Sequence, residues 1–416
     1  LRMQKLRALA LVAPLLLFVL LTFIAPIADM LFRSVENQIV STTIPATVHE
    51  LSDWDGTSGE APGEDVYRAL YFDLFLAAEA KEHTKLGTRL NYEKTGVSSM
   101  FRSSGRKLDD LGKDYQKAFK KIDKQLDDGA FWFTMMSGDG TASDAAVSAR
   151  KARFKDMTGA NTSADIGFAP SQAIVDLLPL TALAYTDFAV FTVIADEDVV
   201  AEEDPWEAVY VALAQDLATA DVAAYTGPGA DVLQAAKAGL ETVPVVTFAE
   251  FFADIDEDWL DPGVWETIKT YSPKYTNGYF LNAIDMQKSL DGAEPRPENQ
   301  QIYMTLFKRT MFMSLVITGS CILLGYPVAW ILANLPMRSA NLLMILVLLP
   351  FWTSLLVRTS AWKVMLQQQG VINDVLVWLG LVADDARLVM INNQFGTIVA
   401  MTHILLPFMI LPLYSV

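Results

Sequence analysis

Residues 348–374 read LLPFWTSLLVRTSAWKVMLQQQGVIND, and this stretch decides the fold class. It leaves an apolar segment at Pro350 and then places Trp352, Arg358 and Trp362 before a glutamine triplet. Aromatic rings and long basic side chains are typical of helix ends at a membrane surface, where they contact lipid headgroups. The stretch therefore predicts a membrane helix that bends after Pro350 and leaves the lipid.

Four apolar runs have the composition of membrane helices: Ala8–Ile27, Met311–Leu335, Leu342–Val357 and Ile398–Leu413. About 20 helical residues cross a hydrocarbon core of ~30 Å. Residues 325–327 break the second run, and only residues 336–339 separate it from the third, so these two helices should be antiparallel neighbours. Prolines 407 and 412 predict kinks in the fourth. We predict an α-helical membrane protein with four transmembrane helices.

Charge divides the chain into three parts. Residues 1–32 and 305–416 together hold nine basic and four acidic side chains, whereas residues 33–304 hold 23 basic and 45 acidic ones. The middle therefore carries a net charge of about −22, which excludes the basic footprint of a nucleic-acid binder. The pattern predicts a large, acidic, mainly helical extracytoplasmic domain inserted between transmembrane helices 1 and 2.

Three basic residues precede the first run, which places the N-terminus in the cytoplasm and the acidic middle outside. In this topology Lys308, Arg309, Arg358 and Lys363 lie on the outer side. The charges of the short loops therefore do not favour one orientation, and the predicted orientation is based on the first helix.

The acidic middle has helical patterns at Ala61–Ala80 and Pro205–Thr219, each with proline and acids before an apolar periodicity. The stretch Ile174–Ala195 is long and apolar, but it contains Asp176 and Asp187. An acid at the bilayer centre costs about 2.5 to 3.5 kcal/mol. We therefore predict a core helix, or a pair of short elements, of the soluble domain.

Two segments of the middle resemble each other: residues 122–132 read IDKQLDDGAFW and residues 255–265 read IDEDWLDPGVW. The likeness has two interpretations. It marks either a duplicated helical subdomain or two acidic turns that each end in tryptophan.

No catalytic, metal or cofactor signature is found in the sequence. Cys321 is the only cysteine, which excludes an intramolecular disulfide, and its apolar surroundings indicate a buried small side chain. His49, His83 and His403 are scattered, and no glycine-rich loop followed by lysine could hold phosphates. The sequence therefore predicts a protein that is not an enzyme and has no cofactor.

Polar residues within the apolar runs are the candidate functional residues. His403 should face other helices or a water-filled path, or else pack against a neighbouring backbone group. Arg358 can extend to the headgroups. Trp352 and Trp362 are separated by roughly 15 Å along a straight helix, so they reach one interface only if the helix bends; otherwise Trp352 faces the bundle.

Three sequence segments carry a family resemblance. They are GYPVAWILANLP at 325–336, residues 340–374, which include the stretch 348–374 quoted above, and AMTHILLPFMILPLYS at 400–415. They resemble permease subunits of binding-protein-dependent ABC importers, in particular the first permease of the spermidine/putrescine branch. The resemblance implies part of a type I importer permease fold in the bacterial inner membrane. It also implies three partners: a second permease subunit, ATPase subunits and a periplasmic solute-binding protein.

The resemblance, together with the polar residues, gives a candidate solute path or gate formed by Trp352, Thr353, Arg358, Trp362 and His403. A polyamine path needs carboxylates or aromatic faces. The four runs hold no acid near their centres, so Trp352 is the best candidate for a cation contact, with acids supplied by the partner subunit or by helices outside this sequence.

The chain departs from the family pattern twice. A cytoplasmic coupling loop that docks into the ATPase is expected shortly after residues 412–415, so the sequence is expected to be a piece lacking that loop and the final helices. Residues 33–304 also form a far larger external insertion than compact polyamine permeases have. This insertion either docks the binding protein or gates the solute entrance, or it only stabilises the subunit. A separate hypothesis is that its negative charge concentrates a polycationic solute near the entrance.

Two other functions stay open. One is an importer permease for another solute, such as iron, an opine or another amine, since family motifs describe the scaffold more than the ligand. The other is a membrane-anchored sensor, which has the same order of helix, external domain and helix. A sensor predicts a cytoplasmic signalling module after the second run, whereas two more apolar runs follow it.

Overall fold

The computed structural model describes residues 2–138, 142–243 and 245–415. The chain divides into two compact units, Leu1–Asn282 with Met286–Pro295 and Ala283–Asp285 with Arg296–Val416. Apart from one two-stranded hairpin, the regular structure of the described residues is helical.

The first apolar run forms one continuous helix, made of Arg2–Val19, a π-helical turn at Leu20–Ile24, and Ala25–Arg33. The π turn lies just before Pro26, whose ring and missing N–H disturb the regular hydrogen-bond ladder. Residues Leu11–Arg33, which we call the first span, have a mean hydropathy of 2.6 and bury no side chain against protein. An apolar helix with no protein cover needs lipid, as the sequence predicts.

The rest of the first unit is a helical domain. Its α-helices are Ile39–Thr43, Pro45–Leu51, Glu64–Glu79, His83–Asn91, Val97–Ile122, Gly129–Ser137, Asp144–Thr158, Gln172–Leu177, Pro179–Phe191, Glu207–Thr219, Ala230–Ala238, Phe248–Ile255, Pro262–Thr270 and Gly278–Ala283. Short 3₁₀ turns lie at Lys124–Asp127, Val200–Glu202, Val222–Ala224, Leu240–Thr242 and Glu257–Leu260, and a π turn at Thr192–Asp196. The hairpin pairs Met286–Ser289 antiparallel with Gly292–Pro295.

The two helices predicted at Ala61–Ala80 and Pro205–Thr219 are confirmed as Glu64–Glu79 and Glu207–Thr219. Each begins with glutamate in its first turn, where the positive end of the helix dipole favours an acid. Both are largely buried, so their apolar residues form much of the domain core.

The apolar stretch at 174–195 forms the two helices Gln172–Leu177 and Pro179–Phe191 inside this core. Asp187, at the centre of the stretch, is 6% exposed and accepts hydrogen bonds from the Arg150 guanidinium, with Arg153 at 3.7 Å. The stretch is packed inside the domain, and the arginines of the domain compensate the charge of Asp187. The predicted pair of core elements is therefore confirmed.

The two similar segments have the same local structure. In each, an aspartate starts a 3₁₀ turn, with Asp123 accepting from the Gln125 N–H and Asp256 from the Asp258 N–H. A second aspartate, Asp128 or Asp261, then caps the following helix. Both segments end in a fully buried tryptophan.

The same two tryptophans make matching contacts. Trp132 Nε1 donates to the Leu126 carbonyl at 3.0 Å, and Trp265 Nε1 donates to the Trp259 carbonyl at 2.8 Å. The Leu126 carbonyl also accepts from the Tyr210 hydroxyl, and the Trp259 carbonyl from the Tyr67 hydroxyl, both at 2.7 Å. Each tyrosine stands edge-on to its tryptophan at 76°.

The helices that carry Tyr67 and Tyr210, Glu64–Glu79 and Glu207–Thr219, are called the tyrosine helices, and they share a further contact. Asp73 accepts from the Thr47 N–H and hydroxyl at 2.7 and 2.8 Å, and Asp216 accepts from the same groups of Thr181 at 2.7 Å each. Both threonines lie two residues after a proline that begins a helix. Since three independent contacts repeat, the structure favours duplication over two unrelated turns. The first half covers residues 45–132 and the second half residues 179–265. Trp132 of the first half contacts Tyr210 of the second, and Trp265 of the second contacts Tyr67 of the first, so the halves are intertwined.

We expect the stability of the domain to depend on pH through the carboxyl of Glu79. Burial raises the pKa of its carboxyl to about 7, and the like charges of Asp109, Glu207 and Asp196 raise it further. A pKa raised by folding means that the folded domain binds this proton more tightly than the unfolded chain does. The stability that protonation of Glu79 contributes is fully present below pH 4.5 and is lost as pH rises through about 7. We expect Glu79→Gln to stabilise the domain by about 1 kcal/mol above that pH, after allowing for solvent screening. Denaturant unfolding over a pH series measures this, with the exposed Glu50→Gln as control.

The Glu79→Gln variant should also have a flatter pH profile than the wild type between acid and neutral pH. Parallel profiles for the two proteins would show that Glu79 does not titrate in this range.

The second unit contains three apolar helical segments. We call Tyr303–Asn334 the second span, Met337–Trp352 with Leu355–Met365 the bent pair, and Gln394–Ser415 the last span. With the first span, three helices of the described residues can cross a membrane, or four if the bent pair is one span. The helix Val371–Trp378 and 3₁₀ turns at Glu298–Gln300, Leu349–Trp352 and Asp384–Ala386 complete the unit.

Two expectations for this unit need correction. The second span continues through residues 325–327, although Pro327 cannot donate to the helix ladder. Residues 336–339 are not a free loop, because the Pro336 carbonyl accepts from the N–H groups of Ser339 and Ala340 in the first turn of the next helix. The two helices are neighbours as predicted, with Leu343 packed against the buried core around Leu332.

Candidate functional site

A row of small residues on the second span packs against the last span. Cys321, Gly325 and Ala329 are buried at intervals of four residues, and the Cys321 thiol donates to the Thr402 carbonyl at 3.7 Å. A side chain added at Gly325 would meet Ile410 at 3.4 Å. Small residues at this spacing let two membrane helices approach closely. This helix pair forms the frame on which several candidate residues lie.

The carboxylate of Asp285 fixes the start of the second span. It accepts from the backbone N–H groups of Ile302, Tyr303 and Met304 at 3.0, 2.9 and 2.7 Å. Burial opposes ionisation, but these donors together lower the pKa of the Asp285 carboxyl below its usual value. The first N–H groups of a helix lack partners within it, so this distant acid replaces an N-cap.

The predicted bend after Pro350 is confirmed, since the two helices of the bent pair make an angle of 90°. The Pro350 carbonyl accepts from the Thr353 N–H at 3.2 Å and from its hydroxyl at 2.9 Å, which closes a 3₁₀ turn. Ser354 then caps the next helix, because its hydroxyl accepts from the Val357 N–H at 3.2 Å. Residues of the turn and the cap therefore set the bend.

Two predicted site residues, Trp362 and His403, are brought together. Trp362 Nε1 donates to His403 Nδ1 at 3.2 Å, and the ring centroids are 5.4 Å apart at 67°. With Nδ1 as acceptor, the neutral imidazole carries its proton on Nε2. The partner of His403 is thus a side chain and not a backbone group. The contact joins the second helix of the bent pair to the last span.

The other candidate residues lie on either side of the bend. Trp352 is 89% exposed, whereas its neighbour Phe351 packs on Phe408 with centroids 4.7 Å apart. Arg358 is half-buried, and its Nε atom has no hydrogen-bond partner among the described residues. It precedes Trp362 by one helical turn, so the two side chains share a helix face. Thr353 lies in the bend itself.

Sequence reasoning missed Asn373, which organises the polar stretch after the bent pair. Its side chain is fully buried and accepts from the Leu388 N–H at 3.0 Å while donating to the Leu388 and Gln367 carbonyls at 2.9 and 3.1 Å. The available signal was an amide within the apolar sequence VINDVLVW, because a polar group in such a place needs partners.

Arg387 was also missed. It donates to Asp374 and Asp384 at 2.7 and 2.8 Å, and these carboxylates raise the pKa of its guanidinium. The hydrogen bonds of Asn373 and Arg387 together join the two ends of residues 367–388.

A cavity of about 1070 Å³ opens between the beginnings of the second and last spans. Arg309 and the amides of Asn392, Asn393 and Gln394 contribute to its lining, which contains no carboxylate among the described residues. Such a surface offers hydrogen bonds and one positive charge, so it does not suit a polycation. The aromatic side chains near the bend are the better candidates for a cation contact.

These features define a multi-pass α-helical membrane protein whose bent pair and last span carry the candidate residues. No family model matches the chain. It is 40% identical over 114 residues, 27% of its length, to the spermidine/putrescine transport system permease protein PotB of Salmonella typhimurium strain SL1344, and 39% identical over 114 residues to PotB of Escherichia coli K12. It is 29% identical over 129 residues to the inner membrane ABC transporter permease protein YdcU of Escherichia coli K12.

The matches cover 39% and 41% of the two PotB proteins and 40% of YdcU, so the chain spans about two fifths of the curated relatives it matches. All three are named as transport permeases and none as an enzyme. The resemblance to ABC importer permeases of the spermidine/putrescine branch is therefore confirmed.

Proposed function

We propose that this chain is a permease subunit of an ABC importer and that it lines the path for spermidine or putrescine. The observation that carries the proposal is the 40% identity with PotB over 114 residues. The number and packing of the candidate spans support it, because a small-residue helix pair is suited to a membrane bundle.

The proposed topology places the N-terminus in the cytoplasm and residues 1–32 across the bacterial inner membrane. Residues 33–304 form a periplasmic domain, and residues 305–416 contribute transmembrane helices 2–4 to the permease core. The proposed partners are a second permease subunit, ATPase subunits that hydrolyse ATP, and a periplasmic solute-binding protein. The name of YdcU, an inner membrane ABC transporter permease, supports this assignment.

Within the path we assign the cation contact to Trp352, because it exposes its ring just before the bend. Thr353 and Arg358 lie at and beyond the bend, and the Trp362–His403 pair holds the second helix of the bent pair on the last span. We propose that the bend held by the Trp362–His403 pair is the gate, since a change in the angle of the bent pair would move Trp352 relative to the last span.

Replacing Trp352 with alanine tests the cation contact. A cation–π contact contributes about 0.5–2 kcal/mol, so we expect ATP-dependent spermidine uptake to fall by about 2- to 30-fold, with Trp352→Phe retaining most of it. The measurement is radiolabelled uptake by the complete importer in proteoliposomes. Trp378 is 83% exposed in the same unit, and Trp378→Ala is the matched control.

Equal uptake by the Trp352→Ala and Trp378→Ala variants would remove Trp352 from the path. Absence of spermidine and putrescine uptake by the wild-type importer would instead reject the proposed solute.

The net charge of about −22 on residues 33–304 is proposed to concentrate polycations near the entrance. Salt screens such a field, so the KM for uptake should rise with ionic strength. The rise should be steeper for spermidine, with three charges, than for putrescine, with two. The uptake assay at low and high salt measures how KM changes with ionic strength for each solute. An equal change for the two solutes, or no change for either, would show that the acidic domain does not steer the solute.

A further inference from the structure

The end of the first span is joined to the helical domain by a compact set of hydrogen bonds. The Asn37 N–H donates to the Lys274 carbonyl at 2.8 Å, and the Thr276 N–H donates to the Val35 carbonyl at 2.8 Å. Asn37 is 3% exposed, and its side-chain amide donates to the Tyr271 and Pro273 carbonyls. Residues 35–37 and 273–276 are therefore held together directly after the last residue of the span.

Three aromatic side chains are exposed immediately beside this junction. Tyr275 is 65% exposed, Phe280 is 53% exposed and Tyr279 is 38% exposed. One face of the Tyr279 ring is covered by the Arg89 guanidinium, which lies 4.7 Å from the centroid and fixes the ring. We call Tyr275, Tyr279 and Phe280 the aromatic foot.

The position of the span sets the depth of the foot. The 23 residues of Leu11–Arg33 give a helix of roughly 34 Å, slightly longer than a hydrocarbon core of ~30 Å. A span of this length would place Arg33 at headgroup level, where its exposed ion pair with Asp29 at 2.8 Å would stay hydrated. Since Val35 and Glu36 pair with Thr276 and Tyr275, the foot lies within about one helical turn of that level.

We propose that the aromatic foot inserts into the boundary between headgroups and acyl chains and holds the domain on the membrane surface. Tyrosine combines an apolar ring with a hydroxyl that stays in water, which is why it is enriched at this boundary. Residues 33–304 are strongly acidic, so anionic headgroups repel the domain as a whole. The contact therefore depends on apolar burial and not on charge attraction, and it does not depend on which solute is transported.

Spin labels on single cysteines test the depth of the foot. In the full chain with Cys321→Ala, labels are placed by Phe280→Cys and Tyr275→Cys, and the control is Val245→Cys, an apolar position of the same unit that is 94% exposed. The protein is reconstituted in vesicles of phosphatidylethanolamine and phosphatidylglycerol. Collision rates with oxygen, which enters lipid, and with a nickel chelate, which stays in water, are then compared.

We expect the ratio of oxygen to nickel collisions to be several-fold higher at positions 280 and 275 than at 245, and to be unchanged at high salt. A ratio at 280 equal to that at 245 overturns the proposal. A high ratio that falls with salt overturns it as well, because charge attraction through Lys274 would then hold the surface. An unchanged proteolysis pattern in each labelled variant shows that the domain is folded.

Discussion

Replacing Arg153 with methionine is expected to lower the free energy of unfolding of the helical domain by about 3–5 kcal/mol. Arg153 donates to Asp73 at 2.7 Å and lies 3.7 Å from Asp187, and both carboxylates are nearly inaccessible to water. Methionine fills a similar volume but leaves Asp73 without its main counter-charge. The hydrogen bonds from Thr47 remain, but they do not replace the counter-charge, and a buried carboxylate that has lost its counter-charge is the costly state.

The measurement is hydrogen exchange of the slowest amides in Glu64–Glu79 and Pro179–Phe191, in the full chain in lipid nanodiscs. The matched control is Arg68→Met, because Arg68 pairs with Asp65 on the surface and is expected to change stability by less than about 0.5 kcal/mol. Burial raises the pKa of the Asp73 carboxyl despite the opposing effect of Arg153. The loss in Arg153→Met should therefore be smaller in acid, where Asp73 is protonated. Equal effects of the two methionine variants would contradict a buried charge network.

Replacing Thr181 with valine is expected to cost about 1.5–3 kcal/mol, because it removes a hydrogen bond to a buried carboxylate without changing the side-chain shape. The carboxylate of Asp216 accepts from the Thr181 hydroxyl and N–H, and from the Leu180 N–H at 3.3 Å. Thr47→Val is the equivalent change in the other half of the duplicated domain. It should cost less, since Asp73 keeps Arg153 as a partner.

Denaturant unfolding of the full chain compares these variants with Thr88→Val, because the Thr88 hydroxyl donates to the Thr84 carbonyl at an exposed helix position. Burial raises the pKa of the Asp216 carboxyl, so the cost of Thr181→Val should grow as pH rises and the acid ionises. A cost for Thr47→Val larger than that for Thr181→Val would contradict the assigned equivalence of the two sites.

Much of the fold can be predicted from residues close together in sequence. The apolar lengths locate the membrane helices, acids and prolines locate the helix starts near Glu64 and Glu207, and Pro350 locates the bend. The acids Asp176 and Asp187 assign residues 174–195 to a soluble core. These features depend on local backbone preference and on the transfer of side chains from water to lipid, which are properties of short segments.

The candidate site was only partly predictable. His403 was singled out for its polarity within an apolar run and Trp362 as an aromatic side chain near a membrane interface, but their pairing joins residues 41 positions apart. Asn373 and Arg387 were missed because their partners come from both ends of a polar stretch that has no periodic pattern. The likeness of the two tryptophan segments was visible, whereas the exchange of their tyrosine partners was not.

The sequence by itself determined that this protein is helical, that it holds several membrane helices and an acidic domain, and that its C-terminal motifs resemble importer permeases. The tertiary structure decided the 90° angle of the bent pair, the Trp362–His403 contact, the intertwined halves and the exposed aromatic foot beside the first span. The division has a physical reason. Burial in lipid and helix formation depend on each segment alone, whereas contacts between distant side chains depend on how the segments pack.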